Sequence, residues 1–272
     1  AREGGTQNIV DWTSEVGAIP NRHWTRGTPM DQDAINIDAF EPGHVDTDSC
    51  YSCPVACGHV VQFEGSGVEG AFPDAQVGWG PEYETIGMMG SNTSIEDVTG
   101  ITELANHADT LGMDTISLGN VVSFTMELAE KDLIDHDIEF GDAESAVELV
   151  ENIAHREGVG EDLALGVAEA AEKLTDGDPD AREAAIEVKG MEPPAYDPRA
   201  SYSMGLAYAT SDRGACHQRA FPIGSDALGS DRDPLDTEGH AEAVVEEQNE
   251  GALLFSMVTC DFTGYDYERS AE

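Results

Sequence analysis

The sequence predicts a mainly α-helical fold with long irregular connections. Three observations carry that expectation. Apolar residues recur at spacings of three and four between residues 98 and 174. Only one short stretch, 60–63, reads as a strand, and glycine and proline crowd the segments between. A chain of 272 residues that is 40% hydrophobic can bury one large core or two ordinary ones.

The elements follow in order. Residues 1–48 lack periodicity and are punctuated by Gly17, Pro20, Gly27 and Pro29, so they read as extended and loop-rich. Residues 65–80 hold Pro73 and several glycines and read as an irregular loop. Ser94 with Asp97 resembles a capping box, and Val98, Ile101, Leu104, Ala105, Ala108 and Leu111 then form one apolar stripe. Gly112 supplies a stop for that helix. Further helices are expected over 115–130, with Gly119 as a weak point, and over 143–156 and 162–174. Residues 175–180 are turn chemistry. Three prolines in 192–198 rule out a continuous helix and mark the expected domain boundary. Helices near 203–211 and 238–249 complete the pattern. The expected organisation is a helical domain over 1–192 carrying the cysteine loop, and a partial second helical domain over 193–272.

Cys50, Cys53 and Cys57 form a C-x2-C-x3-C run. Three thiolates within eight residues can grip one face of a soft metal centre, with a fourth ligand from elsewhere, which is how a [4Fe–4S] cube is usually held. Structural zinc more often uses two C-x2-C pairs, and no second pair exists here. Unligated thiols are the third reading. A disulfide framework is disfavoured by the odd count of five cysteines, the size of the chain and the lack of a secretory signal.

Charge narrows the function class. Lys and Arg total 13 against 55 Asp and Glu, a formal net charge of −42. Phosphate backbones would be repelled, so no nucleic-acid partner is expected. With this much apolar content the acidity points to a folded halophilic cytoplasmic protein, because at about 1 M salt the Debye length shrinks to roughly 3 Å and self-repulsion is screened. No apolar run approaches the length of a membrane span. The N-terminus has no initiator Met and does not resemble a signal peptide, so the chain reads as a fragment or a processed piece.

Four local sequences belong together: the cysteine run, the stretch from Gly80 to Asn92 containing Pro81-Glu-Tyr-Glu-Thr85, the stretch Asp109-Thr-Leu-Gly-Met-Asp114, and Arg213-Gly-Ala-Cys-His217 preceded by Val188 to Arg199. In this order they resemble the aldehyde ferredoxin oxidoreductase family, the tungsten-pterin enzymes, over about residues 20–262. The resemblance implies irregular helical domains of that family's second and third kind, with its N-terminal β-rich pterin-base domain absent here. It implies that Cys50, Cys53 and Cys57 hold a [4Fe–4S] cluster, with Cys260 as the distant ligand and Cys216 as its rival. It implies a tungsten or molybdenum bis-pterin, with magnesium, bound partly through Asp109, Gly112 and Asp114. The glycine would allow close backbone approach and the carboxylates would accept hydrogen bonds from ring N–H groups.

Five residues before Cys260 the family often has Asp, and this chain has Phe255, leaving Ser256 or backbone groups to replace it. The family places a Glu and a His near the metal. Glu84 matches the first, with Glu82 as neighbouring alternative, and His217 matches the second. A carboxylate can deprotonate an attacking water, and an imidazole N–H can bond the aldehyde oxygen as charge develops. Burial should raise the Glu pKa. The implied activity is oxidation of aldehydes to carboxylic acids with water, passing electrons to ferredoxin. Two other readings stay open: a truncated or non-catalytic iron–sulfur electron-transfer subunit, and a relative of the aromatic acyl-CoA reductases. A missing pterin-base domain or subunit and a homodimer are the expected assembly partners. Glu103 with His107 is the nearest approach to the metal site that some relatives carry between subunits.

Overall fold

The N-terminal third holds more regular structure than its sequence pattern predicts. The computed structural model describes residues 4–63, 78–227 and 232–264. It begins with helix α1 (Ile9–Glu15) and a single turn α2 (Ile37–Phe40). Strands β1 (His44–Asp48), β2 (Gly58–Val61) and β3 (Gly78–Trp79) follow as an antiparallel sheet in that order. Four of the five β1 residues are exposed, so no alternation marks it in the sequence. The strand expected at 60–63 starts two residues earlier and ends at Val61. Most of the expected 65–80 loop lies outside the described residues.

The helix α3 (Tyr83–Thr85) runs on into a buried π-helical turn, Ile86–Gly90. The next three helices sit where the apolar stripes place them: α4 (Val98–Leu111), α5 (Thr115–Glu130) and α6 (Ala143–His155). The cap of α4 differs from expectation. Asp97 itself is the N-cap, accepting from Thr99 N at 3.1 Å and Gly100 N at 2.9 Å, while Ser94 lies outside the helix in a left-handed conformation. Gly112, at φ 74°, closes α4 as a left-handed C-cap.

The helix expected over 162–174 is broken in two, α7 (Gly160–Leu163) and α8 (Val167–Leu174), because Gly166 at φ 89° turns the chain between them. The turn chemistry of 175–180 also starts a helix, α9 (Pro179–Ala184), with Asp178 capping and proline at its first position. The remaining helices are α10 (Tyr202–Thr210), α11 (Pro222–Ala227), α12 (His240–Ser256) and α13 (Asp261–Gly264). Thus α12 extends well past the predicted end at 249. No described helix is long and apolar enough to cross a membrane.

The helix α5 is the axis of the core, with Val122, Phe124, Met126 and Leu128 essentially sealed from water. Gly119 is a contact point rather than a defect: a Cβ there would stand 2.5 Å from the Met88 carbonyl carbon, so only glycine lets α5 meet the π-helical turn. Two irregular segments are pinned across this axis. Trp24 Nε1 donates to Asn120 Oδ1 at 2.9 Å, and the His23 ring lies between Ser123 Oγ and the Ala184 carbonyl, at 2.9 and 2.7 Å. Asn120 Nδ2 donates to the Pro193 carbonyl at 2.9 Å, the Tyr83 hydroxyl to Ala195 O at 2.5 Å, and Asp197 N to Ala18 O at 2.7 Å. The buried stretch from Glu192 to Asp197 therefore lies against α3 and α5, and carries one wall of the site described next.

Candidate active site and cysteine cluster

Glu84 and His217, 133 residues apart in sequence, face each other with Oε1 3.4 Å from Nε2. The flanking side chains fix the carboxylate: Tyr83 and Thr85 are buried, so α3 turns Glu84 to the open side. Its Oε2 accepts from Ala195 N at 2.8 Å. Its Oε1 is sealed from water and has no hydrogen-bond partner. Burial pushes the Glu84 carboxyl up to about 8, Asp114 adds to that, and the bonds from Ala195 and the Tyr196 hydroxyl act the other way. Burial pushes the His217 imidazole down to about 4, aided by Arg213 and opposed by Asp261 and Asp114. At neutral pH the pair is an uncharged acid beside an uncharged imidazole, which lets both groups sit in a poorly solvated place. The rise in the Glu84 pKa expected from sequence is present.

A cleft of about 390 Å³ opens on Glu84. Asp48, Glu82, Asp109, Asp114, Thr85 and Thr115 line it with backbone from Gly58 and Gly80. Asp114 is also the N-cap of α5, accepting from Ser117 N at 2.7 Å. Burial raises the Asp109 pKa. A volume of this size with acceptor-rich walls suits a planar heterocycle bearing N–H donors, so the residues fit the pterin that the sequence motif implies. Gly112 is not brought to the cleft; its place is the C-cap, where an added Cβ would meet nothing within 4 Å. Glu82 lies on the same cleft, bonded by the Thr6 hydroxyl, and is the more open of the two glutamates.

The cysteine loop follows β1. Ser52 and Ala56 both take left-handed backbone, at φ 57° and 48°, and Cys53 N bonds Cys50 O at 2.9 Å, so the chain coils tightly around the three thiols. Burial raises the Cys57 pKa, then Glu82, and then the Cys260 and Cys50 sulfurs push it in the same direction. The distant cysteine is therefore within electrostatic reach of the loop, and none of the four is in a disulfide. Cys216 is buried in the other motif. Among the described residues no three His, Cys, Asp or Glu converge on a single ion. A cube carries iron at each of four corners, so its ligands need not converge on one point, and an all-sulfur donor set fits it.

Two further residues of the site lie beside the motif residues. Tyr196 packs its ring 5.1 Å from Tyr83 and 5.6 Å from His217 and bonds Glu84 through its hydroxyl. Its signal lay in the Pro-Pro-Ala-Tyr-Asp-Pro string, which reads as a boundary until its burial is known. Asp261, beside Cys260, acts on His217 and so links the distant cysteine electrostatically to the Glu84–His217 pair. Ser256 donates its hydroxyl to Ala252 O at 2.7 Å. Phe255 lies under the Arg219 guanidinium, 4.4 Å from ring centroid to Cζ.

Known proteins resemble this chain over most of its length. Residues 1–272 match the family model described as aldehyde ferredoxin oxidoreductase, domains 2 and 3. A tungsten-containing aldehyde ferredoxin oxidoreductase of Thermococcus kodakarensis is 33% identical over 96% of this chain, and one of Pyrococcus furiosus is 34% identical over the same share. The chain spans 43% of the length of each. The WOR-like subunit of an aliphatic sulfonate oxidoreductase from Pyrococcus furiosus is 28% identical over 77% of the chain and 32% of its own length. The BamBC active-site complex of benzoyl coenzyme A reductase superposes with a TM-score of 0.63 over 89% of this chain and 36% of that one, at 21% identity, and so shares the fold. The motifs, the helical architecture and the matched length lead to one assignment: this chain belongs to the aldehyde ferredoxin oxidoreductase family and corresponds to its domains 2 and 3.

Proposed function

We propose that the whole protein oxidises aldehydes to carboxylic acids with water and that this chain supplies the proton-handling pair and the cluster ligands. The observation that carries the reading is the buried, unpartnered Glu84 Oε1 facing His217 Nε2 at the head of an acceptor-lined cleft. Asp109, Asp114 and Glu82 would hold the tungsten or molybdenum pterin, and Cys50, Cys53, Cys57 and Cys260 the [4Fe–4S] cluster. When bound, these groups take up the electron pair and release it singly to ferredoxin. The overall change is aldehyde plus water to acid, two electrons and two protons.

Glu84, pushed up to about 8, is mostly protonated at neutral pH, so it is the ionised minority that takes a proton from the attacking water, and turnover should rise with pH toward 8; a base works best when its pKa lies near the operating pH. His217 stays neutral and presents a ring N–H to the aldehyde oxygen, where it steadies developing negative charge. Tyr196 and Ala195 N hold the carboxylate in place. Five carboxylates around the cleft give the released protons a route outward.

The division at residue 193 belongs to the same reading, as does a cytoplasmic, salt-rich setting for a chain of net charge −42. The exposed apolar side chains Leu253, Met257, Val258 and Phe262 beside Cys260 support a β-rich domain or subunit covering this face. The test is aldehyde-dependent viologen reduction by the full-length, anaerobically prepared protein with its metals counted. Aldehyde turnover with near-stoichiometric tungsten or molybdenum supports the proposal. Iron without either metal and no turnover would leave an electron-transfer subunit, the reading that Phe255 in place of Asp favours.

A further inference from the structure

A second cleft, of about 350 Å³, lies between the end of α1 and the α10–α11 region and shares no lining residue with the first. Val16, Ile223, Pro234 and Leu235 make its walls apolar. Gly17 leaves its floor open, since an added Cβ would meet no atom within 4 Å.

The polar groups in it are fixed. Asp226, whose side chain is fully buried, accepts from the Ser201 and Ser203 hydroxyls and from Arg232 Nε and Nη2, at 3.1 and 3.0 Å for the arginine. Asp197, 2% exposed, is paired with Arg199: Nε lies 2.9 Å from both carboxylate oxygens, and Nη2 bonds Asp197 and the Trp24 carbonyl. Both carboxylates are thus fully engaged as acceptors. Arg199 Nη1 has no partner among the described residues, and the side chain is 61% exposed. Each acid is matched by an arginine, so the cleft is locally balanced in a chain of net charge −42 that elsewhere repels anions. A guanidinium locked by a carboxylate, with one N–H edge open beside apolar walls, is preorganised for an acceptor on an apolar body.

We propose that this cleft binds a small monocarboxylic acid, its carboxylate on Arg199 and its apolar part against Val16, Ile223 and Leu235. The volume falls in the usual range for small-molecule sites. The segment that carries Arg199 also carries Ala195 and Tyr196, which hold Glu84. The inference does not depend on the reaction proposed above.

Benzoate, hexanoate and, as the neutral control, benzyl alcohol should be titrated by calorimetry into the full-length, cofactor-loaded protein. Both acids are expected to saturate one site, and the alcohol to bind at least roughly tenfold more weakly, as the loss of a charge-assisted hydrogen bond implies. Leu235→Trp, which closes the lip from an exposed position, and Arg199→Gln should each weaken benzoate by a similar factor. Should Arg199→Gln loosen the fold, Leu235→Trp decides alone. Equal binding of acid and alcohol, unchanged benzoate affinity in Leu235→Trp, or no benzoate binding by the parent protein would each overturn the proposal.

Discussion

The wall that carries Glu84 and the loop that carries the cysteines are both short sequence motifs, yet they are built in opposite ways. Around Glu84 the chain is sealed: Tyr83 is 1% exposed and Ile86 is fully buried, and the π-helical turn rests on α5 through Gly119. Around the cysteines it is open: Cys50 and Cys260 are exposed, Tyr51 is 100% exposed and Val258 is 92% exposed. The first region holds its geometry from its own packing. The second consists of left-handed turns and thiols that would gain order from the proposed cluster, because metal ligation supplies folding energy where the core does not.

The largest effect should separate chemistry from packing. Glu84→Gln keeps the shape of the sealed wall and removes the proton acceptor, so turnover should fall by about a hundredfold to ten-thousandfold with metal content unchanged. Steady-state rates on the loaded protein check it, and retained activity would move the base to Glu82.

The next effect is on stability. A carboxyl raised from 4.5 to about 8 on folding contributes stability that is whole below pH 4.5 and is lost as pH rises to about 8. By pH 7 the loss is about 3 kcal/mol. His217, lowered to about 4, works the other way, and its stability falls as pH drops from 6.5 toward 4. Denaturant titrations of the cofactor-free chain at pH 5 and pH 7 should show the first slope reduced in Glu84→Gln.

Gly119→Ala should cost about 1–3 kcal/mol, because its Cβ would meet Met88 backbone that cannot move aside. Tyr51→Ala, at the tip of the cysteine loop, should change stability by less than about 0.5 kcal/mol. Thermal melts of these two variants compare the two regions directly. Equal shifts would erase the contrast drawn between them.

The same contrast explains what could be read from the sequence. The helices α4, α5 and α6 were legible because one face of each is buried against the core, which writes a period of 3.6 into the chain. The strand β1 was not, since almost nothing in it is buried. The split between α7 and α8 hid in Gly166, which a stripe of Leu163, Val167 and Ala170 passes over unmarked. Glu84 and His217 were found by their motifs and brought together by the family resemblance; residue spacing alone could not pair them, because their meeting depends on how the 192–197 segment crosses α3. Tyr196 lay in the stretch from Val188 to Arg199 with no role read for it: its three neighbouring prolines spoke for a break in the chain, whereas the break is what lets the segment lie flat on the core.

In the proposed cluster site, Cys260 closes a four-sulfur set with the loop cysteines. Iron and sulfide analysis, with low-temperature electron paramagnetic resonance of the dithionite-reduced full-length protein, tests it in the parent and in Cys260→Ser. The account predicts about four irons per chain and a cluster signal in the parent, and loss of both in the variant. A parent protein without iron, or a Cys260→Ser protein with its iron and signal intact, would contradict it.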